Sequence, residues 1–497
     1  MSKTAKYISV NALDNMKNIK EIFHFPTNKD IVIRSFKSDS GENCVVVYID
    51  GMTNTAAVND FIVRPLMSCN QSPIDLFNTV QFNDCTKVTD METVVSRILL
   101  GDTAIFVDGT DFSGVCETKG FPRRSISTPL TENSIKGSQE AFSESIRSNI
   151  SLVRRGVRTP DLITEMITVG EISNDICGVM YIAGLTDMKL VERVKKRLKS
   201  IKADYVTGSG MIEQMIGDSR WSVFPSVLST ERPERAAQYL NAGRVVIICD
   251  NSPFALIMPV TLSEFLDSPE GNQQRWQSGT FTRLIRSFAF VLALLLSAVY
   301  IAVINFHHEM LPPQLLLLIA QSRATIPFSS LMELLVMELF FELVREAGVR
   351  TPSAVGGAIG VVGGLILGSA AIDANIVSPV TLIIVAVSGL ANSVLPDYDI
   401  NFAVTVCKVA LIILGGTLGL YGVFFGCAGV VLLLSVQRSL GLPFIEAPFS
   451  FKTVNSNAFV QMPLWKQQKR GSFIGKLRPR QQPKISREWE NNEQKNC

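Results

Sequence analysis

Charge is sparse in this 497-residue chain: Asp, Glu, Lys and Arg make up 19% of it, against about 25% in an average soluble protein. The 47 basic and 45 acidic residues nearly cancel, so no global basic field exists to hold nucleic acid. Histidine is scarcer still. His24, His307 and His308 lie outside any HExxH context, which leaves no zinc-protease motif. The nine cysteines form no CxxC pair and no even framework; a reducing compartment is expected, with most thiols serving as small buried apolar groups. Gly471 to Lys476 reads GSFIGK, which has the wrong spacing for a nucleotide-binding P-loop and no hydroxyl after the lysine. A GxSxG elbow is also missing. The first residues, MSKTAKYISVNALDNMKNIKEIF, hold no apolar run of the kind that marks a secretory signal. These absences point to a protein that is not an enzyme and takes no cofactor or metal.

What charge there is falls unevenly. Met1 to Ser287 holds 32 basic and 33 acidic residues, Phe288 to Val436 holds 4 and 8, and Gln437 to Cys497 holds 11 and 4. The first block is charged like a soluble protein, the second is charge-poor like a membrane domain, and the third is a basic tail. The length allows two to four domains at roughly 100 to 200 residues each.

The soluble block contains a repeat. Cys44 to Thr53 reads CVVVYIDGMT and Cys177 to Thr186 reads CGVMYIAGLT; Gly101 to Phe112 reads GDTAIFVDGTDF and Gly243 to Phe254 reads GRVVIICDNSPF. Strand-like runs alternate here with helical patterns and turn signals, as in an α/β or α+β domain. The expected organisation is a first α/β subdomain over 1–130, a connector helix and linker over 131–165, and a related second subdomain over 166–275. In the connector, Phe142, Ile146, Ile150 and Val153 fall at helical spacing, leaving Arg154, Arg155 and Arg158 exposed, either to solvent or to a neighbouring subunit.

An all-α multi-pass membrane domain is expected over 288–436. Phe288 to Phe306 is free of charge and about long enough to span the hydrocarbon. Arg275, Arg283 and Arg286 precede it, which places the soluble block in the cytosol. In the next candidate span Gly356, Gly360, Gly364 and Gly368 recur every fourth residue, a smooth stripe against which another helix can pack closely. Phe402 to Val436 carries Gly415, Gly419, Gly422, Gly426 and Gly429, a spacing that keeps them on one face of a single long tilted helix. Such stripes serve contacts within one chain or between subunits.

Ser329 to Glu346 differs, because glutamates interrupt an apolar segment. At 100° per residue Glu338, Glu342, Arg345 and Glu346 share one face and Glu333 lies off it. Ionisable groups at membrane depth are costly and default to a functional role; such a face can line a water-filled cation path. The alternative is an interfacial helix with Glu342 and Arg345 paired. The basic tail, 437–497, should be cytosolic like the N-terminus, which demands an even number of crossings. Spans near 288–306, 354–372, 377–396 and 403–436 make four, so the glutamate helix either stops short of crossing or joins Leu315 to Ala320 in a re-entrant pair.

At Pro253 to Thr261 (PFALIMPVT) and Phe341 to Pro352 (FELVREAGVRTP) the chain closely resembles the A subunits of the GerA family of spore germinant receptors. Asn149 to Arg155, Ile359 to Gly364 and Gly441 to Phe444 extend the likeness, which runs from about residue 40 to 470. Two stretches at domain junctions depart from the family pattern, Gly137 to Phe142 and Ser268 to Gln273. The resemblance implies a multi-pass protein of the spore inner membrane that acts with a transporter-like B subunit and a lipoprotein C subunit. It implies further a homo-oligomeric, ion-channel-forming component that triggers germination when nutrients arrive. Stage V sporulation protein AF is similar in architecture and gives the alternative, a germination accessory or scaffold.

Overall fold

A computed structural model describes residues 7–82, 84–120, 129, 132, 136–267, 273–350, 368–445, 461–467, 470 and 477–482. Two five-stranded antiparallel sheets come first. One has the order β1-β2-β4-β5-β3, from β1 (Ile31–Lys37), β2 (Asn43–Ile49), β3 (Cys85–Val88), β4 (Thr103–Val107) and β5 (Ser113–Cys116). The other has the order β6-β7-β9-β10-β8, from β6 (Leu162–Val169), β7 (Asp175–Ile182), β8 (Leu228–Thr230), β9 (Val245–Cys249) and β10 (Ala255–Met258). The two orders are the same pattern displaced by five strands.

The duplication extends to single hydrogen bonds. Helix α1 (Ala12–Ile22) and α2 (Met91–Leu99) cover one face of the first sheet. Helix α3 (Ile146–Gly156) lies on the second sheet at the place α1 takes on the first. Asp108 Oδ1 accepts from Ala12 N at 2.8 Å at the head of α1, as Asp250 Oδ1 accepts from Ile146 N at 3.1 Å at the head of α3. Asn15 closes a two-bond ring with the backbone of Ser9, and Asn149 closes the same ring with Ser143. Gly101 and Gly243, matched in the sequence repeat, both hold positive φ, 97° and 91°, where a Cβ would strain the backbone. The segment expected as a connector is therefore corrected: its helix is the opening element of the second subdomain.

Arg154 corrects a second expectation, because it is fully buried. Its guanidinium bonds Asp30 Oδ2 at 3.0 and 2.5 Å, Thr159 O at 3.0 Å and Leu162 O at 2.8 Å. Asp30 belongs to the first subdomain, so this pair joins the two halves, together with Lys29 N to Thr164 O at 2.9 Å and Thr164 N to Asn28 Oδ1 at 3.1 Å. Arg155 is half-buried against Glu140 at 3.1 Å, and Arg158 is exposed. A third correction concerns thiols. Cys85 and Cys116 are cross-strand partners on β3 and β5 and are joined as a disulfide, whereas Cys44, Cys177, Cys249 and Cys407 are free and buried as expected.

Alternation along the strands builds three layers. In β7, Cys177, Val179 and Tyr181 face α4 (Met188–Lys199) and α5 (Ser209–Ile216). Met180 and Ile182 face α3 and α6 (Pro233–Asn241), in a buried cluster that continues into the helical half. That half is a bundle of α7 (Trp276–Phe306), α8 (Pro313–Arg323), α9 (Ser330–Arg350), α10 (Pro379–Ser393), α11 (Tyr398–Leu418) and α12 (Leu420–Val436). Two of these helices, α7 and α11, are long and apolar enough to cross a membrane; α10 and α12 are shorter apolar helices.

The single long helix expected over Phe402 to Val436 is broken. Gly419 adopts φ +65°, and α12 turns back along α11. A Cβ on Gly422 would stand 2.1 Å from Leu414 O, and one on Gly426 would stand 2.4 Å from Leu411 Cδ2. The start of the expected tail is also folded: β11 (Arg438–Ser439) and β12 (Leu442–Pro443) form a small hairpin. It buries Leu440 in the core of the second sheet and Phe444 against Phe265.

Candidate functional site

The glutamates of α9 follow one another over about 20 Å of helix at 1.5 Å per residue. Glu333, off the predicted face, is buried; its Oε1 accepts from Ser378 N at 2.7 Å and its Oε2 stands 3.5 Å from Arg323 Nε. Ser378 caps the N-terminus of α10, where a carboxylate complements the helix dipole. Ser378 Oγ, Thr381 Oγ1 and Tyr300 OH continue this polar layer at 2.9 and 3.1 Å.

Glu338 lies in the middle of the bundle and is 2% exposed. Its Oε2 meets Lys408 Nζ at 2.5 Å and its Oε1 accepts from Ser297 Oγ at 2.8 Å. Three helices, α7, α9 and α11, thus converge on one carboxylate. Lys408 is itself 1% exposed. Two charges so far from solvent are tolerable only because each answers the other at hydrogen-bond distance.

Glu342 and Arg345 pair at 2.7 Å and remain partly exposed. Glu342 Oε1 also accepts from Thr405 Oγ1 at 3.1 Å, and Thr405 accepts from Asn392 Nδ2 at 3.2 Å, which ties α9 to α11 and α10. Glu346, 44% exposed at its side chain, pairs with Arg350 at 2.6 Å. Every glutamate of α9 therefore has a cationic partner, and Arg323, Lys408, Arg345 and Arg350 are all the lysines and arginines that Phe288 to Val436 contains. The face is charge-matched, which changes the expectation of an acidic face open to cations: the Glu338 charge is taken up inside the chain.

Among the predicted glycines, Gly356, Gly360 and Gly364 lie outside the described residues. A Cβ on Gly368 would meet Leu382 at 3.3 Å, and one on Gly415 would meet Ala298 O at 2.7 Å. Gly419 makes the turn, Gly422 and Gly426 seat α12 on α11, and Gly429 faces open space. Gly389 went unremarked in the sequence, yet the Phe341 ring sits where its Cβ would be, at 2.1 Å, bringing α9 onto α10. Lys408 was missed as well. Its signal was plain: a lone cation inside the apolar run from Phe402 to Val436 requires an acidic partner. Among the described residues no group of three or more His, Cys, Asp or Glu could hold a metal ion.

Comparison with known proteins bears on what this bundle serves. The profile of GerA, the Bacillus/Clostridium GerA spore germination protein family, matches residues 17–473. Spore germination protein KA of Bacillus subtilis (strain 168) is 35% identical over 90% of this chain and 84% of its own length. Spore germination protein GerLA of Bacillus cereus is 33% identical over 91% and 93%. The uncharacterized membrane protein YfkQ of Bacillus subtilis (strain 168) is 34% identical over 93% and 91%. The crystal structure of the N-terminal domain of the A subunit of the Bacillus megaterium spore germinant receptor GerK3 aligns with 51% of this chain and 97% of its own, at 30% identity and a TM-score of 0.39.

Proposed function

Because this chain belongs to the GerA family of spore germination proteins, we propose that it is the A subunit of a nutrient germinant receptor in the spore inner membrane. The observation that carries this is the extent of the likeness: spore germination protein KA aligns across both the soluble and the helical halves. A transporter-like B subunit and a lipoprotein C subunit are its proposed partners, with further copies of this chain. The alternative is an accessory or scaffold membrane protein like the stage V relative; the uncharacterized membrane protein YfkQ is about as similar to this chain as the germination proteins are.

The helix directions support a multi-pass arrangement with both soluble ends on one side. The far end of α7 meets the α11–α12 turn, because Phe306 and His307 lie 3.0 Å from a Cβ on Gly419. The start of α10 sits near Tyr300 of α7 and Glu333 of α9. The end of α12 returns to the soluble domain, where Gln437 Nε2 donates to Phe224 O at 3.2 Å. With α11 and α12 as separate spans and α9 crossing, the crossings among the described residues are α7, α9, α10, α11 and α12, and the span expected from the sequence near 354–372, most of which lies outside the described residues, makes a sixth. Six is even, so the glutamate helix no longer breaks the parity that the basic tail requires.

Within this reading ions pass along the α9 face, where Glu342, Arg345 and Glu346 keep an exposed edge while Glu338 and Lys408 hold the helices together. Oligomerisation repeats that edge around a common axis, as charged rings do in other channels. The test of the receptor reading is isolation of this chain from spore membranes. Co-purification of a transporter-like and a lipoprotein subunit supports it, and recovery of the chain without either favours the scaffold.

A further inference from the structure

The second subdomain carries an apolar patch that the contacts above leave unused. Met211 and Met215, one turn apart on α5, are 38% and 46% exposed; Trp221 is 95% exposed and Val223 36%. The patch has a definite place. The loop that carries Trp221 is bound to the exit of α12, through Gln437 to Phe224 O at 3.2 Å and Ser439 Oγ to Ser226 O at 2.6 Å. Gln437 is the C-cap of α12, and the last turn of that helix exposes Leu433 and Val436. From the other side, Glu213 of α5 lies near Asp397 and Asp399, where α11 begins. Burial first, then these two charges, push the Glu213 carboxyl up to about 8. The start of α11 and the end of α12 share one end of the bundle, so α5 and the Trp221 loop stand near the boundary between the soluble half and the apolar helices.

We propose that Met211, Met215, Trp221 and Val223 dip into the headgroup region of the bilayer that the bundle spans, so that the second subdomain rests on lipid as well as on the helices. The proposal rests on the membrane reading of the helical half. Continuity selects lipid over a protein partner: the Trp221 loop is hydrogen-bonded through Phe224 and Ser226 to Gln437 and Ser439, which directly follow the exposed apolar turn of Leu433 and Val436 that would itself face the acyl chains. Tryptophan is the side chain enriched at that depth, its ring apolar and its N–H a donor to the headgroup layer. Arg220, exposed beside it, supplies a cation for lipid phosphate.

The test uses the full chain in phosphatidylcholine and phosphatidylglycerol vesicles, with and without lipids brominated near the headgroup. One variant keeps only Trp221 and another keeps only Trp276 at the start of α7, the other tryptophans being changed to Phe. Loss of emission from both on adding bromolipid is the expected result. Quenching of Trp276 with Trp221 unaffected overturns the proposal, as does cross-linking between two copies through Trp221→Cys. If neither is quenched, the membrane reading falls and the proposal with it. Should the multiple Phe variants fail to fold, the difference in quenching between the native chain and Trp221→Phe reports the same quantity.

Discussion

Replacing Lys408 with Met should leave the Glu338 carboxylate buried and unanswered, at a cost of about 3–5 kcal/mol. Glu338→Gln alone strands the ammonium and should also destabilise the bundle. The double change Glu338→Gln with Lys408→Met removes both charges and should recover most of the loss, as read by thermal denaturation in detergent. Additive losses would mean that the 2.5 Å contact contributes nothing. A second residue gives a pH dependence. The Glu213 carboxyl is raised from 4.5 to about 8, so its contribution to stability is full below pH 4.5 and is lost as pH rises through about 8. Glu213→Gln should flatten that decline in melting temperature and leave the chain more stable than the native one above pH 8. These partnerships were hard to read in advance. Arg154 sits at the end of an amphipathic helix, where arginines are usually solvated, and its partner Asp30 is 124 residues away. Lys408 and Glu338 are 70 residues apart; each was visible as an oddity, but nothing local says which acid meets which base.

At the scale of elements, the α11–α12 hairpin rests on three glycines with different duties. Gly422→Leu should separate the two helices, because even a Cβ there meets the Leu414 carbonyl at 2.1 Å, and the main-chain atoms cannot move aside. Gly429→Leu, facing open space, serves as the control. Yield of monodisperse protein should fall for the first and hold for the second; equal yields would place the hairpin elsewhere. The glycine spacing could not have revealed the turn, since steps of three and four residues fit a continuous helix and a folded one equally well. Only the backbone at Gly419, with φ +65°, decides between them. The strands were more legible. Alternating and continuous β-branched runs at Cys44 to Ile49 and Cys177 to Ile182 became β2 and β7, and the repeated Tyr-Ile-x-Gly-x-Thr located the duplication that the Asp108 and Asp250 caps now extend.

For the whole molecule, the expected α/β region followed by a helical one matches the two sheets and the bundle, while the number of helix passes depends on packing that composition does not record. The proposed six crossings predict that a cysteine placed at Glu309, beyond the end of α7, reacts with an impermeant maleimide from outside. One placed at Asp111 in the first subdomain should react only after permeabilisation. Reaction of both from outside would invert the arrangement. The receptor role is tested most directly in spores. Spores that lack only this chain should fail to germinate with one class of nutrient while answering others normally, and restoring the chain should restore the response. An unchanged response across a full panel of amino acids, sugars and nucleosides, in spores shown to lack the chain, would contradict its assignment as a germinant receptor subunit.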